Sequence, residues 1–149
     1  LEFTGLNHRL QFVCKKNGVE YYNDSISTIP QATLAALKSL ENVQTLILGG
    51  KDRGIDYSIL KDILFEFKTL KNIVFVSEAG KRMSTIIKPN PEKETQTLFS
   101  SDYKEIVAFC KQKTEKDYKV LLSPAAASYD MFKNFEERGD VFVALVLGD

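Results

Sequence analysis

Three polar segments of this chain carry residues whose types and spacing could do chemistry. The first is Asn23-Asp24-Ser25, followed by Ser27 and Thr28 and then Pro30. Side chains of this kind accept from the orphan N–H groups at a helix start, and read alone the segment is capping chemistry. The second is Gly49-Gly50-Lys51-Asp52-Arg53-Gly54-Ile55-Asp56, glycine-rich with both signs of charge. It is either a ligand loop or a flexible turn with solvated charges. It is not a P-loop, because GxxxxGK[ST] occurs nowhere in the chain. The third is Ser123-Pro124-Ala125-Ala126-Ala127-Ser128, small and nearly apolar. Small residues there let backbone N–H groups approach an anion closely at the start of the next helix. His8-Arg9 is a fourth candidate: Arg9 either clamps a phosphate or stacks on a base, or stands in solvent as an ordinary surface arginine. Serine nucleophile chemistry is disfavoured, since neither Ser123 nor Ser128 lies in GxSxG and the single histidine is distant in sequence.

The elements that must position these segments alternate in type. Residues 10–16 alternate polar and apolar, Val19–Asn23 continues in the same way, and Asn17-Gly18 between them is a two-residue hairpin signal. Pro30 suits a first helical turn, and Ala32, Ala35, Ala36, Leu37 and Leu40 follow at helical spacing. Strands are expected at 45–48, 73–76, 95–99 and 118–122. Helices are expected through Ile59, Leu60, Ile63, Leu64 and Phe67, over 79–87, and from an Asp102 or Ser101 cap through Ile106, Val107, Phe109 and Cys110. The tail from Tyr129 reads as helical in two pieces broken at Gly139. The pattern predicts an α/β, Rossmann-like fold: a mainly parallel sheet with helices on both faces and an N-terminal antiparallel hairpin. Each of the three polar segments follows an expected strand. In open α/β sheets ligands bind outside the carboxyl ends of strands, so the three are expected to converge on one rim.

Composition sets limits on the rest. The 149 residues hold 20 Lys+Arg, 20 Asp+Glu and one His, so the net charge is zero. One domain over 1–149 is expected, large enough to need neither disulfide nor metal staple. Neutral charge argues against a nucleic-acid partner, whose affinity rests on phosphate neutralisation. Cys14 and Cys110 lie far apart without CxxC and with only His8 to join them, so zinc is not expected and both thiols read as core. No apolar run is long enough for a membrane span, residues 1–10 lack a signal-peptide apolar region, and a cytoplasmic location follows by default. A first residue Leu rather than Met points to a chain processed or taken from something longer.

Four stretches together carry a resemblance. They are Gly5-Leu6-Asn7-His8-Arg9, Tyr22-Asn23-Asp24-Ser25, Leu48-Gly49-Gly50 with Asp52-Arg53-Gly54, and the run from Leu121 to Gly139, LLSPAAASYDMFKNFEERG. In this order they resemble the C-terminal domain of the Mur ligases, and within that family the D-glutamate-adding branch. The resemblance implies an ADP-forming amide ligase of peptidoglycan synthesis that joins D-glutamate to UDP-N-acetylmuramoyl-L-alanine through an acyl phosphate made from ATP. It implies that Mg2+ and the ATPase machinery belong to a central domain, and the UDP sugar to an N-terminal domain, both outside this chain. The domain itself would close over ATP and bring the incoming amino acid, with no catalytic residue or metal ligand of its own, so that alone it is inactive.

Carried over by position, Arg9 and Asp24 would contact the nucleotide. Thr28, Arg53, Ser128 and Phe135 would contact glutamate, with His8, Asn23, Ser25 and Lys133 in support. Partners would be these small molecules and the rest of the polypeptide. Ile26 stands where the family pattern has lysine, Ser27 where it has alanine, and Ala126 where it has cysteine. Two other readings stand beside this one: a stand-alone Rossmann-type nucleotide- or anion-binding module, and the C-terminal domain of a related Mur or folylpolyglutamate-type ligase.

Overall fold

In the computed structural model, which describes residues 7–148, the chain opens with β1 (Gln11–Lys16) and β2 (Val19–Asn23) paired antiparallel. Asn17 and Gly18 both take positive φ (52° and 80°), the turn geometry that matches strand twist in a two-residue hairpin. A register shift between Phe12 and Cys14 bulges β1, so its alternation is imperfect. Of the Gly5-Leu6-Asn7-His8-Arg9 stretch, Gly5 and Leu6 lie outside the described residues, as does Leu1.

Pro30 begins α1 (Pro30–Ser39), as its fixed φ and missing N–H favour. The chain then runs through β3 (Val43–Gly49), a 3-10 turn (Ser58–Leu60), α2 (Ile63–Glu66), β4 (Asn72–Val76), α3 (Ser77–Ile86), β5 (Gln96–Phe99), α4 (Tyr103–Lys113), β6 (Lys119–Leu122) and α5 (Phe135–Leu147). The six strands form one sheet in the order β1-β2-β6-β3-β4-β5, parallel everywhere except at the opening hairpin.

The expected doubly wound arrangement is present. Leu46, Leu48, Ile73, Phe75 and Leu121 face one side, against Ala36 and Leu37 of α1 and Ala79 and Met83 of α3. Ile47, Val74, Val76, Val120 and Leu122 face the other, against Ile106 and Cys110 of α4 and Phe142 and Val146 of α5. Alternate residues of each central strand therefore feed two separate cores, and both faces are apolar because both are covered. Cys110 is buried and free, Cys14 half-buried and free, and burial pushes both thiols up.

Three local expectations are corrected. The amphipathic helix expected through Ile59–Phe67 is a 3-10 turn and a single helical turn, because Leu60, Ile63 and Leu64 reach the core without continuous helix. The tail is not broken at Gly139: α5 runs through it unbroken. Gly139 serves close approach instead, since a Cβ there would lie 2.2 Å from His8 Nδ1 and 2.9 Å from Asn23 Nδ2. Finally, Asn23-Asp24-Ser25 caps nothing. The residue before α1 is Ile29, and no side chain caps that helix.

Candidate functional site

Strands β2, β6 and β3 are neighbours and parallel, so Asn23, Leu122 and Gly49 end side by side. The three polar segments leave from those ends, and the expected convergence is met by hydrogen bonds rather than by proximity alone. The Ala125 N–H donates to Ser27 O at 2.9 Å, joining the first and third segments. The Gly49 N–H donates to Pro124 O at 2.8 Å and the Lys51 N–H to Ala127 O at 2.9 Å, joining the second and third. Gly49 has φ 121°, and a Cβ there would lie 2.1 Å from Val76 O, so only glycine lets β3 turn out against β4. Ala125 is held at φ 57°, a left-handed conformation costing about 1–2 kcal/mol for a non-glycine residue. Its bond to Ser27 O is part of what holds it there.

The polar side chains that would have capped a helix instead tie the rim together. Asp24 is only 3% exposed. Its Oδ1 accepts from the Leu10 N–H at 3.0 Å, and its Oδ2 from Ser27 Oγ at 2.5 Å and Ser123 Oγ at 2.8 Å. Burial raises its pKa, while the two hydroxyls, the Leu10 N–H and the charge of Arg9 pull it back down. Asn23 is fully buried: its Oδ1 accepts from the Ser25 N–H, and its Nδ2 donates to Gln11 Oε1 and lies 2.9 Å from His8 Nδ1. His8 itself is buried, edge-on to the Phe135 ring, with Nε2 3.5 Å from an Asp140 carboxylate oxygen.

Arg9, Asp24, Ser27 and Thr28 line one cleft of about 460 Å³, together with Ile26 and Ile29. Arg9 is exposed at its edge. Thr28, expected to contact glutamate, thus shares its cleft with both expected nucleotide contacts. Ser128 lies on the third segment, 1% exposed, and its Oγ has no hydrogen-bond partner. An unsatisfied buried hydroxyl costs about 1–3 kcal/mol, which a ligand oxygen or nitrogen would relieve. Arg53 is exposed on the second segment and Lys133 on the loop before α5, where its N–H donates to Glu137 Oε1. Phe135 is half-buried, and its carbonyl already accepts from Ser25 Oγ at 2.6 Å.

Two arginines that sequence reasoning did not single out organise this rim. Arg82, on α3, donates to both oxygens of Asp52 at 2.9 Å and to Ile55 O at 2.7 Å, and its guanidinium lies 4.6 Å from the Tyr57 ring centre. It fixes the loop that carries Arg53 and holds the Asp52 carboxyl below its ordinary pKa. Nothing local in the sequence pairs Arg82 with that loop. Arg138 is 1% exposed and donates to Ser25 Oγ and O and to Ala126 O. A signal for it did exist: Arg138 stands one and two helical repeats before Phe142 and Val146, on the buried face of α5.

Sheet, crossovers and rim define an α/β domain that gathers its polar segments at the strand ends, where open α/β sheets bind ligands. The comparisons with known proteins sharpen this. The chain is 37% identical over 149 residues to the UDP-N-acetylmuramoylalanine--D-glutamate ligase of Ruminiclostridium cellulolyticum, covering 97% of this chain and 32% of that protein. It is 40% identical over 146 residues to the ligase of the same name from Aquifex aeolicus, covering 97% and 34%. Among solved structures, the MurF ligase of Thermotoga maritima in complex with ADP shares the fold with a TM-score of 0.60 at 18% identity, over 97% of this chain and 31% of that one. The murein peptide ligase Mpl of Psychrobacter arcticus does so with a TM-score of 0.60 at 12% identity, over the same shares. No protein-family model matches. Over nearly its whole length the chain is therefore similar to Mur ligases, and it spans about a third of the length of these relatives.

Proposed function

We propose that this chain is the C-terminal domain of an ATP-dependent amide ligase that adds D-glutamate to UDP-N-acetylmuramoyl-L-alanine in peptidoglycan synthesis, in the cytoplasm. The observation that carries the reading is the rim itself, where three segments shared with the family's pattern are stitched edge to edge by backbone hydrogen bonds. In this reading Arg9 meets the nucleotide at the edge of the 460 Å³ cleft, with Asp24 behind it. Asp24 does two things: it fixes the Arg9 segment through the Leu10 N–H, and it keeps acceptor capacity toward a ribose hydroxyl. Arg53 pairs with a carboxylate of the incoming glutamate, a geometry suited to a planar guanidinium. Thr28 and Ser128 hydrogen-bond the amino acid, Phe135 walls the site, and His8, Asn23, Ser25 and Lys133 support it.

The chemistry belongs to a longer protein. ATP would phosphorylate the alanine carboxylate, the glutamate amine would attack the acyl phosphate, and ADP and phosphate would leave. An acyl phosphate must be kept from water, and a closing domain that brings the amine does so only when substrate is present. Among the described residues no group of three or more His, Cys, Asp or Glu could hold a metal ion. In this reading Mg2+ belongs to the central domain of the longer protein, as the resemblance implies, and no step of this domain runs through it. No helix among the described residues is long and apolar enough to cross a membrane.

The test is a ligation assay of the full-length protein with UDP-N-acetylmuramoyl-L-alanine and, separately, D-glutamate, L-glutamate and meso-diaminopimelate. Product with D-glutamate alone supports the reading. Product with another amino acid moves the chain to a sister ligase, with Ile26 as the residue to exchange for lysine. ATP turnover by the isolated 149-residue chain would overturn the division of labour.

A further inference from the structure

Arg138 is a buried cation that forms no salt bridge among the described residues. Its Nε donates to Ser25 Oγ at 2.9 Å, one terminal nitrogen to Ser25 O at 2.8 Å and the other to Ala126 O at 2.9 Å. Ser25 Oγ in turn donates to Phe135 O at 2.6 Å, returning the connection to the helix that carries the arginine. A Cβ built on Gly50 would lie 3.2 Å from the same guanidinium, so the second rim segment packs directly on it. All three acceptors are neutral, and among the described residues no carboxylate pairs with the charge. Taking a charge out of water without a partner is an expensive way to fill space, and an apolar side chain of similar volume would do so at lower cost. What the guanidinium supplies that an apolar chain cannot is a rigid planar fork whose donors point in fixed directions.

We infer that Arg138 is a positioning residue that sets all three rim segments in register for an acidic amino acid. The spacing carries this. Arg138 holds or abuts Ser25, Gly50 and Ala126, and each lies only two or three residues before an expected amino-acid contact: Thr28, Arg53 and Ser128. Arg138 does not touch the ligand, being 1% exposed, so it acts through the backbone it holds. Among the described residues its charge is met by no paired carboxylate, only by Asp130 at longer range, and the charge left beneath the rim favours an anionic occupant over a neutral one. The assignment of that occupant as an acidic amino acid rests on the function proposed above; the clamp itself does not.

The experiment compares wild type with Arg138→Lys, Arg138→Ala and Ser25→Ala in the full-length protein, by hydrogen exchange and by steady-state kinetics. Arg138→Lys keeps the charge and loses the fork, and exchange in 23–28, 49–54 and 123–128 is expected to speed up together by about tenfold, with the β1–β2 hairpin unchanged. Loosening confined to α5, or spread evenly over the chain, overturns the clamp. KM for the acidic amino acid is expected to rise by about tenfold to a hundredfold while KM for ATP stays within about twofold, as misplaced contacts predict. Millimolar ethylguanidinium is expected to restore part of that loss in Arg138→Ala, which a general loss of stability would not allow. Unchanged amino-acid KM in a folded Arg138 variant overturns the positioning role. If no Arg138 variant folds, Ser25→Ala, which removes the Nε partner and the bond to Phe135 O but leaves both carbonyl contacts of the fork, carries the same readout at smaller amplitude. Concerted loosening in a protein whose wild type shows no ligase activity overturns the proposed function and leaves the clamp standing.

Discussion

Arg82 and Arg138 both hold loops at the carboxyl end of the sheet, one against a carboxylate near the surface and the other against neutral oxygens in the interior. The Arg82 side chain is 33% exposed and that of its partner Asp52 27% exposed, so water and salt screen the pair. Arg138 is 1% exposed, with three neutral acceptors. The surface pair contributes modest energy to one loop; the buried fork contributes geometry to three. Stability and positioning are separate quantities here, and the arginine that costs the fold more is the one that touches more of the rim.

Substitutions can break this contrast, beginning with the largest effect. Gly139→Ala places a methyl 2.2 Å from His8 Nδ1, so α5 must move away from the hairpin and take Arg138 with it. A loss of about 3 kcal/mol is expected from urea unfolding, since both neighbours are buried. Arg138→Met removes the charge but orphans the carbonyls of Ser25 and Ala126, with an expected loss of about 2 kcal/mol by the same measurement. Hydrogen exchange of the three rim segments no faster in Arg138→Met than in Arg82→Met would erase the distinction drawn above.

Arg82→Met is expected to cost about 1 kcal/mol at neutral pH, and its cost depends on pH. Arg82 lowers the pKa of Asp52 below the ordinary 3.8, so this stabilisation is complete above that value and is lost as pH falls through the folded pKa. Wild type and Arg82→Met are therefore expected to converge in thermal midpoint on acidification toward pH 3, whereas wild type and Arg138→Met are not. Smallest in stability is Ser128→Ala. It deletes a buried hydroxyl without a partner, so unfolding is expected to be unchanged or shifted up by about 0.5 kcal/mol. KM for the amino acid in the full-length enzyme is nevertheless expected to rise by about tenfold.

What the sequence revealed of this molecule was what local rules govern. Asn17-Gly18 marked its turn, Pro30 its helix start and Asp102 its cap, where the carboxylate accepts from the Lys104 N–H. The rim was legible because a polar segment following each of three strands must fall on one edge once those strands are parallel. The failures share a cause: a distant contact outweighed a local preference. Gly139 reads as a helix break, yet it is tolerated mid-helix because His8, far away in the chain, needs the space. Asn23-Asp24-Ser25 reads as a cap, yet its side chains find better partners in Leu10, Ser123 and Arg138. Sequence reasoning did not single out Arg138, although its helical phase with Phe142 and Val146 marks the buried face, and its acceptors are fixed only by the fold.

The order of the strands has a consequence for how the molecule comes into being. β6, sixth along the chain, sits between the second and third, and its Ser123 meets Asp24 across 99 residues of sequence. Until that strand is made, β2 and β3 have no partner between them, and the rim has two sides and no centre. Closing so long a loop is slow, so assembly is expected to wait on the final insertion rather than grow outward from the opening hairpin. A chain ending before β6 is therefore expected to leave the sheet in two parts, with the polar rim completed only when its middle strand arrives.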